Sequence, residues 1–324
     1  MFVTLEEAKK MIADGKLLHI AADESLLEQL PAGRWIAGTT PYFITEKGGV
    51  TCKDRLFVDE IAGAADFKTV IYDKENILNI TKDAYSNGLT FLVMPFASEA
   101  AVFYAKEAPN CENLFMSPIV GWISGFDLST DSSAKVYDGV NGKSYGDKAV
   151  ALHVSLPEDS IAALGIVNIF DVDEKDPVIE FAEDSLSIGK CYVNGKEAVF
   201  ADYIAENGID TRLPLVADYN GVLVNASIKA ILESDKKVEM YAPVFTGKKY
   251  RFATRISDYA ASFIEQLKDF ESVKPVFSCN CILNYLYGEL DGKATLPFAG
   301  PVTFGEVAYQ LLNQTLVYAE IVKQ

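Results

Sequence analysis

The chain has 324 residues, 49% of them apolar and 23% charged, with a formal net charge of −17. The apolar share supports a sizeable core and excludes a disordered chain. The excess of carboxylates excludes the clustered Lys and Arg that nucleic acid or an anionic membrane surface requires. The length exceeds the usual single domain, so two domains or one large composite core are expected.

Five cysteines, Cys52, Cys111, Cys191, Cys279 and Cys281, are scattered and form no CxxC pair. A zinc ribbon and a thioredoxin-type motif are therefore unsupported, and reduced thiols in a cytoplasmic protein are expected. The opening segment, MFVTLEEAKKMIADGK, is acidic and amphipathic, and no run approaches the roughly 18 apolar residues of a membrane span.

Thr4 and Glu7 form a capping box ahead of Ala8, Met11 and Ile12, and Gly15 ends that helix. Leu17–Ala21 predicts a strand, Ser25–Leu30 a short helix, and Trp35–Gly38 a strand leaving through Gly38-Thr39-Thr40-Pro41. Gly48-Gly49 predicts a hairpin turn near strands Tyr42–Thr45 and Arg55–Ile61. Ala65–Tyr72 and Leu89–Pro95 follow as strands around a helix at Ile77–Asn87, and Ser98 caps a helix through Lys106. Ile119–Ile123 runs to Gly125 and a polar loop over 127–133. Asn141-Gly142 predicts a hairpin joining Val136–Asp138 to Ala149–Ser155. After Leu156-Pro157 come alternating segments at Leu164–Asp171 and Ser185–Val193, with a second Asn-Gly turn at 194–195. A helix at Ala198–Asn207 stops at Gly208. Val222–Ile231, Val238–Val244 and Tyr250–Arg255 form a meander with a turn at Gly247-Lys248. A Ser257-capped helix then presents Tyr259, Phe263, Leu267 and Phe270. So many hairpins argue against a purely parallel sheet. The expected class is α+β, with two tightly packed halves, 1–156 and 157–324, of mixed and antiparallel sheets flanked by helices. One internal echo, Ala37-Gly38-Thr39-Thr40 against Ala299-Gly300-Pro301-Val302, each leading to a strand that ends Asp59-Glu60-Ile61 or Ala319-Glu320-Ile321, hints at two related halves.

Catalytic signatures are sparse. His19 and His153 both lie inside apolar strand-like runs, where a satisfied core imidazole is the expected role. GxSxG, the P-loop and GxGxxG are absent. Asp171, Asp173 and Asp176 lack the glycine and terminal Glu of a calcium loop and predict a solvated turn. Three polar constellations remain. Gly38, Thr39 and Thr40 combine close backbone approach with hydroxyls. Gly121, Ser124, Gly125 and Asp127 combine a tight bend with an orienting carboxylate. Cys279, Glu306, Asn313, Gln314 and Thr315 lie between segments of the apolar C-terminal stretch Phe277–Tyr318. Turn and capping chemistry competes with ligand binding at each of them.

The run Gly121–Asp127, followed by Ala134–Gly139 and Asp147–Leu152, resembles the N-terminal half of the FIST domain. Val193–Ala198, Tyr241–Val244, Gly247–Phe252, Phe277-Ser278-Cys279, Gly300–Glu306 and Asn313–Leu316 resemble its C-terminal half in the same order. The chain departs from that pattern at Trp122, Ser124, Phe126 and Leu312, and lacks the Arg expected after Cys279, as a divergent stand-alone relative. The resemblance implies a cytoplasmic small-molecule sensor with no cofactor and no metal. It implies a small polar, amino-acid-like ligand in a cleft between the halves, lined by the twelve residues of the three constellations. It also implies a separate signalling protein, since no output module is attached. The alternative reading is an enzyme with Cys279 as nucleophile, which requires a nearby cation or helix N-terminus to lower the thiol pKa.

Overall fold

The computed structural model describes residues 1–130 and 132–324. Local chemistry starts several elements as expected. Thr4 Oγ1 accepts from Glu7 N, and the Glu7 carboxylate accepts from Thr4 N at 2.7 Å, closing the capping box of helix Leu5–Ala13. Ser98 caps Glu99–Glu107. Asn194 and Gly195, at φ 48° and 79°, make the left-handed two-residue turn between Lys190–Val193 and Lys196–Val199.

Elsewhere tertiary contacts override local signals. Gly48 and Gly49 are not the turn; they pair with Thr45 and Ile44 in strand Gly48–Thr51, and Glu46-Lys47 makes the turn. Glycine is needed at 49 because a Cβ there would lie 2.4 Å from the Leu290 carbonyl oxygen. Asn141-Gly142 joins Val136–Asp138 to Lys143–Tyr145, while Ala149–Ser155 runs in a different sheet. The helix expected over 77–87 is only a 3₁₀ turn, Ile77–Asn79, with one helical turn at Ile80–Asp83. Asp258, not Ser257, caps Tyr259–Leu267.

The architecture is α+β, with mixed and antiparallel sheets. Three of its sheets are built to one plan. An outer strand is followed by a first core strand, a helix, a parallel second core strand, a hairpin, and a closing strand antiparallel to the first. Unit one uses Phe2–Val3, Leu18–Ala22, Trp35–Thr39, the hairpin Tyr42–Thr45/Gly48–Thr51, and Leu56–Glu60. Unit two uses Asp66–Tyr72, Gly88–Pro95, Ile119–Ser124, the hairpin Val136–Asp138/Lys143–Tyr145, and Ala149–Ser155. Unit three uses Ser160–Val167, Phe277–Cys281, Gly300–Thr303, the hairpin Glu306–Ala308/Gln310–Leu312, and Leu316–Lys323.

No unit keeps its own hairpin. That of unit two pairs with unit one (Val136 opposite Gly38), that of unit three with unit two (Glu306 opposite Trp122), and that of unit one with unit three (Phe43 opposite Pro301). The exchange closes a ring. The internal echo therefore belongs to three related units rather than two halves; Asp59 and Ala319 do occupy equivalent places, opposite His19 and Phe277. Residue 156 falls between units two and three, yet 1–156 and 157–324 share two sheets. Residues 168–276, inserted into unit three, carry two further sheets and the helices Phe200–Glu206 and Tyr259–Leu267. His19, Phe91 and Phe277, one from each first core strand, meet at the centre with ring centroids 5.7, 5.0 and 5.7 Å apart. Such edge-on and offset ring contacts favour one packing over others.

Candidate functional site

The carboxyl ends of the three second core strands interlock. Thr39 Oγ1 donates to Gly125 O at 2.7 Å, and Gly125 N donates to Thr39 O at 2.8 Å. Thr40 Oγ1 donates to Val302 O at 2.7 Å. Phe304 N donates to Ile123 O, and Ile123 N to Gly305 O, at 3.0 and 2.8 Å. Beside this junction, between units one and two, opens a cleft of about 550 Å³. Its walls are Asp23, Glu24, Ser25 and Glu28 along one short helix and its two caps, Thr39–Pro41 at a strand end, Lys53, Gly125–Asp127, and Thr130, Ser132 and Ser133. The volume suits a small ligand.

Charge in the cleft is ordered. Lys53 Nζ lies 2.6 Å from Asp127 Oδ2. Asp127 Oδ1 accepts from Ser129 N at 2.9 Å and Ser129 Oγ at 2.7 Å. The Lys53 ammonium, then the Ser129 donors, hold the Asp127 carboxyl well below its usual range. Asp23 accepts from Ser25 N at 3.1 Å, capping helix Glu24–Leu27. Lys135 pairs with Glu24. Among the described residues, four carboxylates, Asp23, Glu24, Glu28 and Asp127, thus line the cleft against one lysine, Lys53.

The C-terminal constellation lies elsewhere, in the interior. Glu306 is fully buried. Its Oε2 accepts from Thr315 N at 3.1 Å and Thr315 Oγ1 at 2.8 Å, and its Oε1 lies 3.0 Å from Thr303 Oγ1, which is 3.3 Å from Asn280 O. This arrangement satisfies a neutral acid: Oε1–H donates to Thr303, Thr303 donates to Asn280 O, and Oε2 accepts twice. Burial pushes the Glu306 pKa up to about 8. Around it runs a buried polar chain. Asn284 Nδ2 donates to Asn280 Oδ1 (2.8 Å), Tyr259 OH to Asn284 Oδ1 (2.6 Å), Gln314 Nε2 to Tyr259 OH (3.0 Å), and Ser227 Oγ to Gln314 Oε1 (2.7 Å). Gln314 takes the left-handed φ of 57° to reach both. Asn313 donates its Nδ2 toward Cys281 Sγ at 3.8 Å.

Of the expected site residues, the structure brings Thr39, Thr40, Gly125 and Asp127 to one cleft. Its lining comes entirely from residues 23–133, so it does not lie between 1–156 and 157–324. Glu306, Asn313, Gln314 and Thr315 belong to the buried network instead. Gly38 and Gly121 serve packing: a Cβ would come 2.7 Å from the Trp122 ring at the first and 1.8 Å from Leu92 O at the second. Ser124 Oγ donates to Met94 O at 3.4 Å. Cys279 is buried with Sγ 3.5 Å from Gly121 O, and burial, reinforced by Glu306, pushes its thiol up.

Both histidines are core residues. His19 Nδ1 donates to Asp59 Oδ2 at 3.0 Å and its Nε2 accepts from Trp122 Nε1 at 2.7 Å. His153 sits between Thr90 Oγ1 and Tyr72 OH, at 2.8 and 3.0 Å, and burial lowers its pKa to about 4. Sequence reasoning missed Asp23, Glu28 and Lys53 in the cleft. Asp23-Glu24-Ser25 carries a helix-start signal, whereas Lys53 lies in a short loop with none.

An α+β protein with a polar cleft at interlocked strand ends is what fold and geometry define. The chain belongs to a family of unknown function (DUF6976), which matches residues 3–322. No curated protein matches it. Among the described residues, no helix is long and apolar enough to cross a membrane.

Proposed function

We propose that this chain is a small-molecule-binding protein of sensory type, holding a small polar, amino-acid-like ligand in the cleft between units one and two. One observation carries the reading: the cleft opens at the carboxyl ends of strands Leu18–Ala22 and Trp35–Thr39, and a Lys53–Asp127 pair stands at its wall. Ligands of open α/β sheets bind outside strand carboxyl ends because the backbone there diverges and leaves a crevice. The corresponding junction of units two and three is filled: Leu186, Tyr241 and Pro243 of the insertion pack near Ile123 and Phe304, leaving about 20 Å³. In the open cleft an incoming carboxylate exchanges with Asp127 on Lys53, and an ammonium group meets Asp23 and Glu28. The ordered resemblance to FIST-type motifs supports a sensory role, with the signal passed to a separate protein. Nothing in the geometry favours Cys279 as a nucleophile, since the thiol is buried and, among the described residues, no cation lies beside it.

The test is calorimetric titration of the protein with single amino acids and related zwitterions. A binder is expected whose affinity falls about tenfold, or 1.4 kcal/mol, in Lys53→Met, with thermal stability unchanged because the side chain is half exposed. Absence of any binder, or a binder indifferent to Lys53→Met and Asp23→Asn, would sink the proposal.

A further inference from the structure

The three units place equivalent strands at the outer edges of their sheets, and these edges differ sharply in chemistry. Unit one ends on the two-residue Phe2–Val3. Unit two ends on Asp66–Tyr72, whose Asp66 and Lys68 are charges of the kind that block edge-to-edge pairing. Unit three ends on Ser160–Val167, SIAALGIV, eight residues with no charge and no proline. It pairs with Leu316–Lys323 over eight consecutive positions without a bulge. Its other side has no strand partner among the described residues. Two other edges, Lys196–Val199 and Ile228–Leu232, carry lysines.

The bonds at Asp159 and Ser160 set the hydrogen-bonding phase of this edge. Gln324 N donates to Asp159 O across the Leu316–Lys323 side, while Ser160 N donates outward to Pro157 O and Ser160 O accepts from Asn87 Nδ2. Alternate residues of an antiparallel strand face alternate neighbours. The outward set therefore continues through Ala162, Leu164 and Ile166. Beside it Ile161 and Val322, directly opposite one another, are 41% and 44% exposed, and Ile166 is 38% exposed.

We propose that Ser160–Val167 is a self-association edge, taking the same strand of a second copy antiparallel about a two-fold axis at Leu164. Ala162 then faces Ile166, and the outward N–H and C=O groups of Ala162, Leu164 and Ile166 pair reciprocally, as an isologous contact requires. The flanking carboxylates meet neutral residues in that alignment: Asp159 faces Ile169 and Glu158 faces Phe170. A molecule of net charge −17 repels its own copy over most of its surface. This strand, eight residues against the five of the uncharged edge Val222–Ala226, lets two copies approach without like charges opposed. Two six-stranded sheets would join into one.

Sedimentation equilibrium of the full chain, from low to several hundred micromolar, tests this. A dimer is expected. Ala163→Lys, at an exposed edge position, is expected to weaken association at least tenfold, while Leu232→Lys on the edge strand of the smallest sheet leaves it unchanged. Hydrogen exchange at Ala162, Leu164 and Ile166 should slow as the dimer forms, which separates edge pairing from any other contact. A monomer at every concentration, a dimer indifferent to Ala163→Lys, or exchange at those amides that ignores concentration would each overturn the proposal, as would a foreign peptide in place of the second copy.

Discussion

Glu306 concentrates the chemistry of single residues in this protein. Its carboxyl is fully buried, has no cationic neighbour among the described residues, and is satisfied as a neutral acid. With a folded pKa of about 8 and an unfolded value near 4.5, the folded state holds its proton where the unfolded state has lost it. Its contribution to stability is therefore fully present below about pH 4.5 and is lost as pH rises through about 8. The loss approaches at most about 5 kcal/mol, because each pKa unit is worth about 1.4 kcal/mol. Urea midpoints measured across pH 5 to 9 should fall in the wild type and flatten in Glu306→Gln, whose amide keeps a donor for Thr303; parallel profiles would refute the assignment. The five cysteines differ in exposure. Cys52 and Cys111 are partly exposed, whereas Cys191, Cys279 and Cys281 are buried. Iodoacetamide should label only the first two in the native protein, and fast labelling of Cys279 would revive it as a nucleophile. Sequence alone flags Glu306 and Thr315 as polar residues in apolar company. It does not show that they satisfy one another rather than a ligand, because their contact depends on a hairpin docking on another unit's sheet.

Among the elements, those set by neighbours in sequence were legible. Capping at Thr4 and Ser98 and the Asn194-Gly195 hairpin depend on atoms a few residues apart, and they appear where the pattern places them. Elements set by distant backbone were not. Gly48-Gly49 looks like a turn but is a strand pressed against Leu290, and Gly121 looks like part of a ligand-binding bend but lets a strand approach its parallel neighbour. Gly121→Ala sets a methyl group against Leu92 O, where only backbone movement relieves it. A loss of at least about 3 kcal/mol is expected by chemical denaturation, and an unchanged midpoint would show that the ladder tolerates a side chain there. The cleft divides along the same line. Thr39, Thr40, Gly125 and Asp127 were visible because strand exits rich in Gly and hydroxyls are a local signal, while Lys53 reaches Asp127 across 74 residues of sequence, from a loop without pattern.

At the scale of the whole molecule, the α+β class followed from the number of hairpins, but the ring of exchanged hairpins has no local signature beyond the short echo of Asp59 and Ala319. The ring makes the halves interdependent. Residues 1–156 alone lack Glu306–Leu312 for one sheet, and their own Tyr42–Thr51 hairpin would have no sheet to join. Such a fragment should show no cooperative thermal transition by circular dichroism; a sharp one would establish that units one and two are self-sufficient. The same exchange imposes an order on biosynthesis. The sheet of unit one gains its last strand once residue 145 has emerged, but the sheet of unit two waits for residues 306–312 and that of unit three for 316–323. The nascent chain therefore carries unfinished apolar sheet edges until residues 306–323 have emerged, when those edges close almost together. A folding helper that shields open strands, or a ribosome that does not pause before residues 306–323, matters more to this chain than to one whose domains finish in sequence.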